Sequence, residues 1–333
     1  MYDMSPASPC DAAVICGVGY WLPPLAVTNA ELCSRLDTTE QWILSRTGIS
    51  TRRIAAPGVA TSDLAVEAGG RALKSAGSGT VQALVLATTT PDRPCPAMAP
   101  DVASRLGLTG IAAFDVSAVC SGFLYALATA AGFIATGVAD RVLVIAAETF
   151  STLLDPLDRS TVPIFGDGAG AVVLRRGSAA EPGAIGRVVL GSDGERHELI
   201  AVETGGSRQQ SGYFRMRGRE VFRHAVERMT AASLAAADAA GWDLADVDRV
   251  VAHQANARIT AAAAAKLGIP EDRWAQNVRE VGNTAAASVP VLLAQAAASG
   301  FLAAGHRVLL TAFGGGLTWG AATVVWPELE NIT

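Results

Sequence analysis

The sequence predicts an α/β protein made of two similar halves, residues 11–180 and 185–327. Three observations predict it. Short β-branched strands alternate with helical runs, one unit of that pattern occurs twice in the same order, and two long uncharged Ala-rich segments fall in matching places.

The first copy starts at Phe114-Asp115-Val116, passes Cys120 and enters an Ala-rich helical run. Gly137 follows, then the strand Val142–Ala146, then the glycine-rich stretch Phe165–Leu174. The second copy starts at Asn277-Val278, passes Asn283 into another Ala-rich run, then Gly305, Val308–Thr311 and Phe313–Val325. In this reading Cys120 and Asn283 hold matching places, each just before a helix. A further correspondence sets Val81–Thr90 against Val247–Asn256. Both are short apolar strands with polar ends, and each follows a helix, over about 61–77 and 219–240. Residues 116–139 and 281–305 carry no charge. They are rich in Ala, Gly, Ser and Thr, and Pro290 interrupts the second, so they make poor membrane spans. They read instead as helices that are apolar all round because they are buried all round, meeting at the centre between two sheets.

Composition narrows the class. The 333 residues are 50% hydrophobic and 17% charged, enough apolar material for one large domain or two moderate ones. The low charge content points to surface hidden against a second copy, a homodimer. A net charge of −5 argues against nucleic acid as a partner. The five cysteines (10, 16, 33, 95 and 120) show no CxxC spacing. Zinc ligation and a disulfide framework are therefore not expected, and a reducing cytoplasm is. Met1–Pro6 has no basic region and no long apolar stretch, so it does not read as a secretory signal.

Three phrases carry chemistry: Ser117–Phe123 with Cys120, His253-Gln254-Ala255-Asn256-Ala257-Arg258, and Val281–Ser288 with Asn283. A thiol beside an imidazole and a carboxamide can be acylated, and can then stabilise an enolate that attacks the acyl group. Cys120 is placed at a helix start, where the helix dipole lowers a thiol pKa. The plain alternative is a small buried hydrophobe. His253 ends the strand Arg249–Ala252; its alternative is a structural His bonded to backbone. Asn283 reads as a helix cap, as a pocket residue, or as both. Gly314-Gly315-Gly316 lacks the Lys-Ser/Thr of a phosphate loop. It reads either as a tight turn or, with the Cys120 N–H, as an oxyanion hole. Arg215, Arg217, Arg219 and Arg223, with Arg46, Arg52, Arg53, Arg159 and Arg258, form a basic set suited to phosphates or to an acidic partner protein.

These residues, in this order, resemble β-ketoacyl-acyl-carrier-protein synthase III of the thiolase superfamily over about Val14–Val325. Thr38–Ile49, Asp155–Arg159, Phe165–Gly170, His253–Asn256, Gly282–Thr284 and Phe313–Gly320 carry the resemblance. More narrowly, the chain looks like a priming ketosynthase of a type II aromatic polyketide pathway such as R1128. The resemblance implies a five-layer αβαβα thiolase-like fold, with the nucleophile in 11–180 and His and Asn in 185–327. It implies that Cys120 takes an acyl group from acyl-CoA, and that His253 and Asn283 hold malonyl-acyl carrier protein as it decarboxylates. The oxyanion would rest on the N–H groups of Cys120 and Gly315. CoA, a substrate rather than a cofactor, would lie along Thr38, Trp42, Arg46, Arg159, Phe222, Ala255 and Asn256. Arg258 and Arg223 would dock the carrier protein. Cys95, reaching across a dimer, would line the acyl pocket with Phe150, Phe214 and Met216. Arg219 departs from the polar uncharged residue usual there, which puts its pantetheine contact in doubt. The open alternatives are an acyltransferase without condensation and an inactive dimeric scaffold. A degradative thiolase would place a second Cys in the glycine loop, and an elongating ketosynthase a His at Asn283.

Overall fold

The computed structural model describes residues 11–77, 79–202, 207, 212–330 and 332; Cys10 lies outside them. The first sheet contains β1 (Asp11–Trp21), β2 (Ala83–Ala87), β3 (Ala112–Val116), β4 (Arg141–Glu148) and β5 (Gly168–Ser178) in the order β1-β5-β4-β2-β3. The second contains β6 (Val189–Ser192), β7 (Arg249–Ala252), β8 (Arg307–Gly314) and β9 (Thr318–Val325) in the order β7-β8-β9-β6. Pairing is parallel for β3-β2-β4 and for β7-β8, and antiparallel elsewhere in both sheets. The two sheets therefore repeat one topology, β1-β5-β4-β2 against β6-β9-β8-β7. The strand that would match β3 is reduced to one parallel bridge between Val250 and Trp274.

Helices fill the layers between and outside the sheets: α1 (Glu40–Thr47), α2 (Thr61–Ser75), α3 (Ala99–Arg105), α4 (Gly122–Ala135), α5 (Gly218–Ala239), α6 (Ala257–Leu267) and α7 (Ser288–Ala298). Side chains alternate across a strand, so each sheet serves two cores. Val142, Val144 and Ala146 of β4 face the central core with α4 and α7. Leu143, Ile145 and Ala147 face the outer core under α2 and α3. On β8, Val308, Leu310 and Ala312 face inward. Leu309 and Phe313 face α5 and α6. The result is five layers, with the uncharged helices α4 and α7 in the middle. No helix among the described residues is long and apolar enough to cross a membrane.

Small residues let these layers close. A Cβ on Gly170 of β5 would fall 2.5 Å from the Val291 N of α7. One on Gly122 would meet the Cβ atoms of Ala87 and Ala286 at 3.2 and 3.3 Å. Both are tighter than a packed interior accepts without a shift.

The register of the repeat differs from the sequence reading. Short 3-10 turns, Val119–Ser121 and Ala285–Ala287, precede α4 and α7. Each opens on a left-handed residue, Val119 and Ala285. Superposing these turns matches Cys120 with Ala286 and Asn283 with Ser117. Backbone conformation, rather than the chemistry of the residues, sets the correspondence.

Candidate active site

Three segments meet at one cavity. Cys120 lies in the turn between β3 and α4 and is 6% exposed. The turn is braced by Ser121 Oγ, which lies 2.8 Å from Ala118 O and 2.7 Å from Thr318 Oγ1, donating to one and able to accept from the Thr318 hydroxyl. Gly314 is pressed against the same turn: a Cβ there would lie 2.7 Å from Cys120 N.

His253 follows β7, and its N–H donates to Thr311 O at 2.8 Å. The next residue locks the loop. Gln254 N–H donates to Ser288 Oγ at 2.7 Å, its Nε2 donates to Ala252 O, and its Oε1 accepts from the N–H groups of Asn277 and Val278. Asn256 caps α6, accepting from Ile259 N–H at 3.0 Å.

Asn283 is 4% exposed. Its N–H donates to Ile164 O and its carbonyl accepts from Gly166 N–H, both at 2.9 Å. Its Oδ1 accepts from Ala285 N–H at 2.9 Å. With the amide oxygen engaged, the NH₂ is left to donate elsewhere. Gly282 before it has φ 78°, and a Cβ there would lie 2.8 Å from the Cβ of buried Arg52.

Cys120, His253 and Asn283 line a cavity of about 30 Å³ with Phe165, Ile200, Phe214, Met216 and Phe313 among its other walls. It adjoins a wider groove of about 410 Å³ that shares Asn283, Met216, Val221, Ala255 and Ile259 with it. Trp42, Arg46, Arg159, Arg219, Phe222, Asn256 and Arg258 also line this groove. The Arg159 guanidinium sits 5.3 Å from the Trp42 ring and donates to Asp37 O at 2.7 Å. Arg258 lies 5.6 Å from the Phe222 ring.

Burial governs the charges. It pushes His253 down to about 3, so the imidazole is neutral near pH 7. Its Nδ1 is buried with no hydrogen-bond partner among the described residues, so no protein group fixes the tautomer there. Cys120 departs from expectation. Burial first, and the charge of Glu148 second, raise its thiol pKa, against a smaller lowering by its own backbone N–H. The helix-start argument fails because a six-per-cent-exposed sulfur loses more hydration than a short turn returns.

Two other expectations, Phe150 in the cavity wall and Thr38 in the groove, need correction. Phe150 does not line the cavity; its ring stacks behind Phe165 at 4.4 Å, and Phe165 forms the wall. Cys95 is exposed and outside the cavity of its own chain. Thr38 does not line the groove; its N–H donates to Leu36 O in the turn before α1, and its Oγ1 is buried without a partner among the described residues. Arg223 is exposed on α5, outside the groove. Two residues went unassigned in the sequence. Phe165 stands in the phrase Phe165–Gly170, whose glycines drew attention away from the ring. Glu148 ends an apolar strand, where a lone acid is itself a signal. Among the described residues no group of three or more His, Cys, Asp or Glu side chains is placed to hold a metal ion.

The layered fold, with a buried Cys, His and Asn at the foot of a basic groove, is that of the thiolase-like enzymes. The family profile described as 3-oxoacyl-[acyl-carrier-protein] synthase III matches residues 114–194, and its C-terminal counterpart matches 237–326. The chain belongs to this family. It is 56% identical over 332 residues to β-ketoacyl-[acyl-carrier-protein] synthase III 3 of Streptomyces coelicolor, covering 96% of this chain and 99% of that one. Among solved structures it is similar to 3-oxoacyl-(acyl carrier protein) synthase III of Pseudomonas aeruginosa, with TM-score 0.92, 47% identity, and 96% and 99% of the two chains covered. It is also similar to the priming β-ketosynthase of the R1128 polyketide pathway, with TM-score 0.90, 34% identity, and 97% and 98% covered.

Proposed function

We propose that this enzyme condenses a short acyl starter from acyl-CoA with malonyl-acyl carrier protein, with loss of carbon dioxide, to prime polyketide or fatty acid synthesis. The observation that carries this reading is the convergence of Cys120, His253 and Asn283 on one cavity.

Cys120 sulfur, on losing its proton, attacks the acyl-CoA carbonyl; the C–S bond to CoA breaks and CoA leaves with the proton. The oxyanion of that step rests on the N–H groups of Cys120 and Gly315, a role supported by the close approach of Gly314 to Cys120 N. The malonyl thioester then binds with its carbonyl oxygen toward His253 and Asn283. Its carboxylate leaves as carbon dioxide, and the electron pair passes into an enolate. A neutral imidazole and a neutral carboxamide stabilise that oxygen by hydrogen bonding. The enolate carbon attacks the acyl-Cys120 carbonyl, a C–C bond forms, and the Cys120 thiolate departs.

The groove supplies the binding side. Trp42 and Arg159 flank the adenine of CoA, Arg46 lies nearby, and Phe222, Ala255 and Asn256 follow the pantetheine arm. Arg258 at the groove, with Arg223 beyond it, docks the acidic carrier protein. Phe214 and Met216 line the acyl pocket, and the exposed Cys95 loop reaches the pocket of a partner subunit in a homodimer. CoA is a substrate, and the reaction calls for no cofactor. The two halves, 11–180 with the nucleophile and 185–327 with His and Asn, act as one unit in the cytoplasm, which agrees with the free cysteines 16, 33, 95 and 120.

Intact-protein mass tests the covalent step. After incubation with acetyl-, propionyl- or a branched four-carbon CoA thioester, the wild type gains the acyl mass and Cys120→Ala does not. An acyl group found on another residue would end the proposal.

A further inference from the structure

The loop Gly314-Gly315-Gly316 lies against the nucleophile turn, yet three successive glycines leave its backbone free to move and give it no side chain to be held by. A Cβ on Gly314 would fall 2.7 Å from Cys120 N and 3.0 Å from Ser121 N, and one on Gly315 would fall 3.0 Å from Ile200 O. Thr318 grips this loop twice. Its backbone pairs with Gly314 at the end of the β8–β9 ladder, and its Oγ1 lies 2.8 Å from Gly315 O. The same hydroxyl reaches the other half of the molecule, 2.7 Å from Ser121 Oγ and 3.1 Å from Ala118 O. Ser121 is 0% exposed and stands at the N-cap of α4, but its side chain makes no cap bond. A serine there ordinarily accepts from an N–H of the first helical turn. This one turns away and meets a residue 197 positions along the chain. Each hydroxyl has one proton to give, and Ala118 O already accepts from Ser121 N–H at 3.2 Å. The order that supplies every oxygen runs from Ser121 Oγ–H to Thr318 Oγ1, and from Thr318 Oγ1–H to Gly315 O.

We propose that Ser121 and Thr318 are a pair of positioning residues for the oxyanion hole: their hydroxyls tie the turn that carries the Cys120 N–H to the loop that carries the Gly315 N–H, and so set the spacing of the two donors. Ser121 directly follows Cys120, and Thr318 holds the carbonyl of Gly315 itself. The two N–H groups belong to different halves of the chain, so one oxygen meets both only while the halves keep their register. An oxyanion hole works when its donors already point, at about 2.7–3.1 Å, to where the charge will develop. An untied glycine loop would have to be ordered in each turnover, and that ordering raises the barrier. Neither hydroxyl residue lines the cavity of Cys120, His253 and Asn283. The pair therefore acts through the N–H groups it holds, rather than on the acyl group.

The proposal rests on the condensing reading for its acylation step, and two reactions of Cys120 test it. Acylation by acetyl-, propionyl- or a branched four-carbon CoA thioester passes through an oxyanion. Alkylation by iodoacetamide displaces iodide from a saturated carbon and forms none. Thr318→Val removes the hydroxyl and keeps the shape. It is expected to slow acylation at saturating acyl-CoA at least about tenfold, short of the 10²–10³ that follows loss of a donor outright. The half-saturating acyl-CoA concentration and the alkylation rate are expected to stay within about twofold of wild type. Thr318→Ser restores the hydroxyl and is expected to recover most of the rate. Equal losses of acylation and alkylation would mean that the pair only holds the thiol or the fold. A loss confined to half-saturation would mean that it serves binding. No loss, or no recovery with Ser, would mean that the hydroxyl is idle. Each of these results overturns the proposal. If Thr318→Val lacks native circular dichroism, Ser121→Ala is read instead. It removes one link of the chain and is expected to slow acylation about threefold, the worth of one hydrogen bond, with alkylation unmoved; unchanged acylation overturns the proposal. A wild type that is alkylated at Cys120 but never acylated sinks the condensing reading and this proposal with it. A wild type that is acylated, with variants that match it, sinks this proposal alone.

Discussion

Val119 and Ala285 adopt the same left-handed conformation, φ 46° and 45°, one residue into matching turns of the two halves. Non-glycine residues in this region cost about 1–2 kcal/mol and persist where the surroundings over-determine them. Here the surroundings are the chemistry. The first turn aims Cys120, and the second holds Asn283 through the Ala285 N–H at 2.9 Å.

Ala285→Val is expected to destabilise the fold by about 1–2 kcal/mol, since a β-branched residue suits this conformation worse than Ala. It should also loosen Asn283, so condensation falls further than acylation. Denaturant unfolding measures the first effect and single-turnover rates the second. A variant as stable and as active as wild type would show that the turn is indifferent to its first residue.

Asn283→Ala is expected to leave acylation of Cys120 intact and to lower decarboxylative condensation by about 10²–10³, the usual cost of one donor at a developing oxyanion. Mass spectrometry reads the first and carbon dioxide release the second. Loss of acylation with normal condensation from preformed acyl-enzyme would reverse the assignment.

Burial holds His253 at about 3 in the fold against 6.5 outside it. Both states are neutral above 6.5, so this group leaves stability unchanged there. Below 6.5 the unfolded chain binds a proton that the folded chain refuses, and stability is lost as pH falls toward 3. Glu148, raised by burial to about 7, acts in the opposite sense and is the same in both proteins compared. Unfolding free energy against pH should therefore fall more steeply on the acid side for wild type than for His253→Gln. Parallel curves would mean that the imidazole is solvated.

Trp42→Ala is expected to raise KM for acyl-CoA about fivefold or more, the worth of a ring facing a guanidinium, while leaving short thioesters without the nucleotide unaffected. Arg258→Glu is expected to weaken use of the carrier-protein substrate more than acylation by free CoA thioesters. Comparable losses on all substrates would remove Trp42 from the adenine site or Arg258 from docking.

Much of the architecture was legible because it is written locally and then repeated. Alternation along Val142–Ala147 and Val308–Phe313 marks strands covered on both faces. The uncharged runs identified α4 and α7 as a central layer, since an all-apolar helix of 14 or 11 residues needs a neighbour on every side. The offset of the repeat was not legible. Cys120 and Asn283 looked equivalent as reactive residues, but the equivalence lies in Val119 and Ala285, whose conformation no composition reveals. The sequence pointed to Phe150 as a wall and left Phe165 unassigned; only the closed chain puts Phe165 at the cavity, with Phe150 stacked against it at 4.4 Å.

By itself the sequence determined the strands, the helices and their duplication, and it singled out three side chains suited to acyl chemistry, because each depends on residues close together in the chain. The tertiary structure alone decided that Cys120, His253 and Asn283 share a cavity, and that burial holds the thiol protonated and the imidazole neutral. Those properties arise from hydration lost to neighbours tens to hundreds of residues away, and such a loss exists only once the chain has closed around the site.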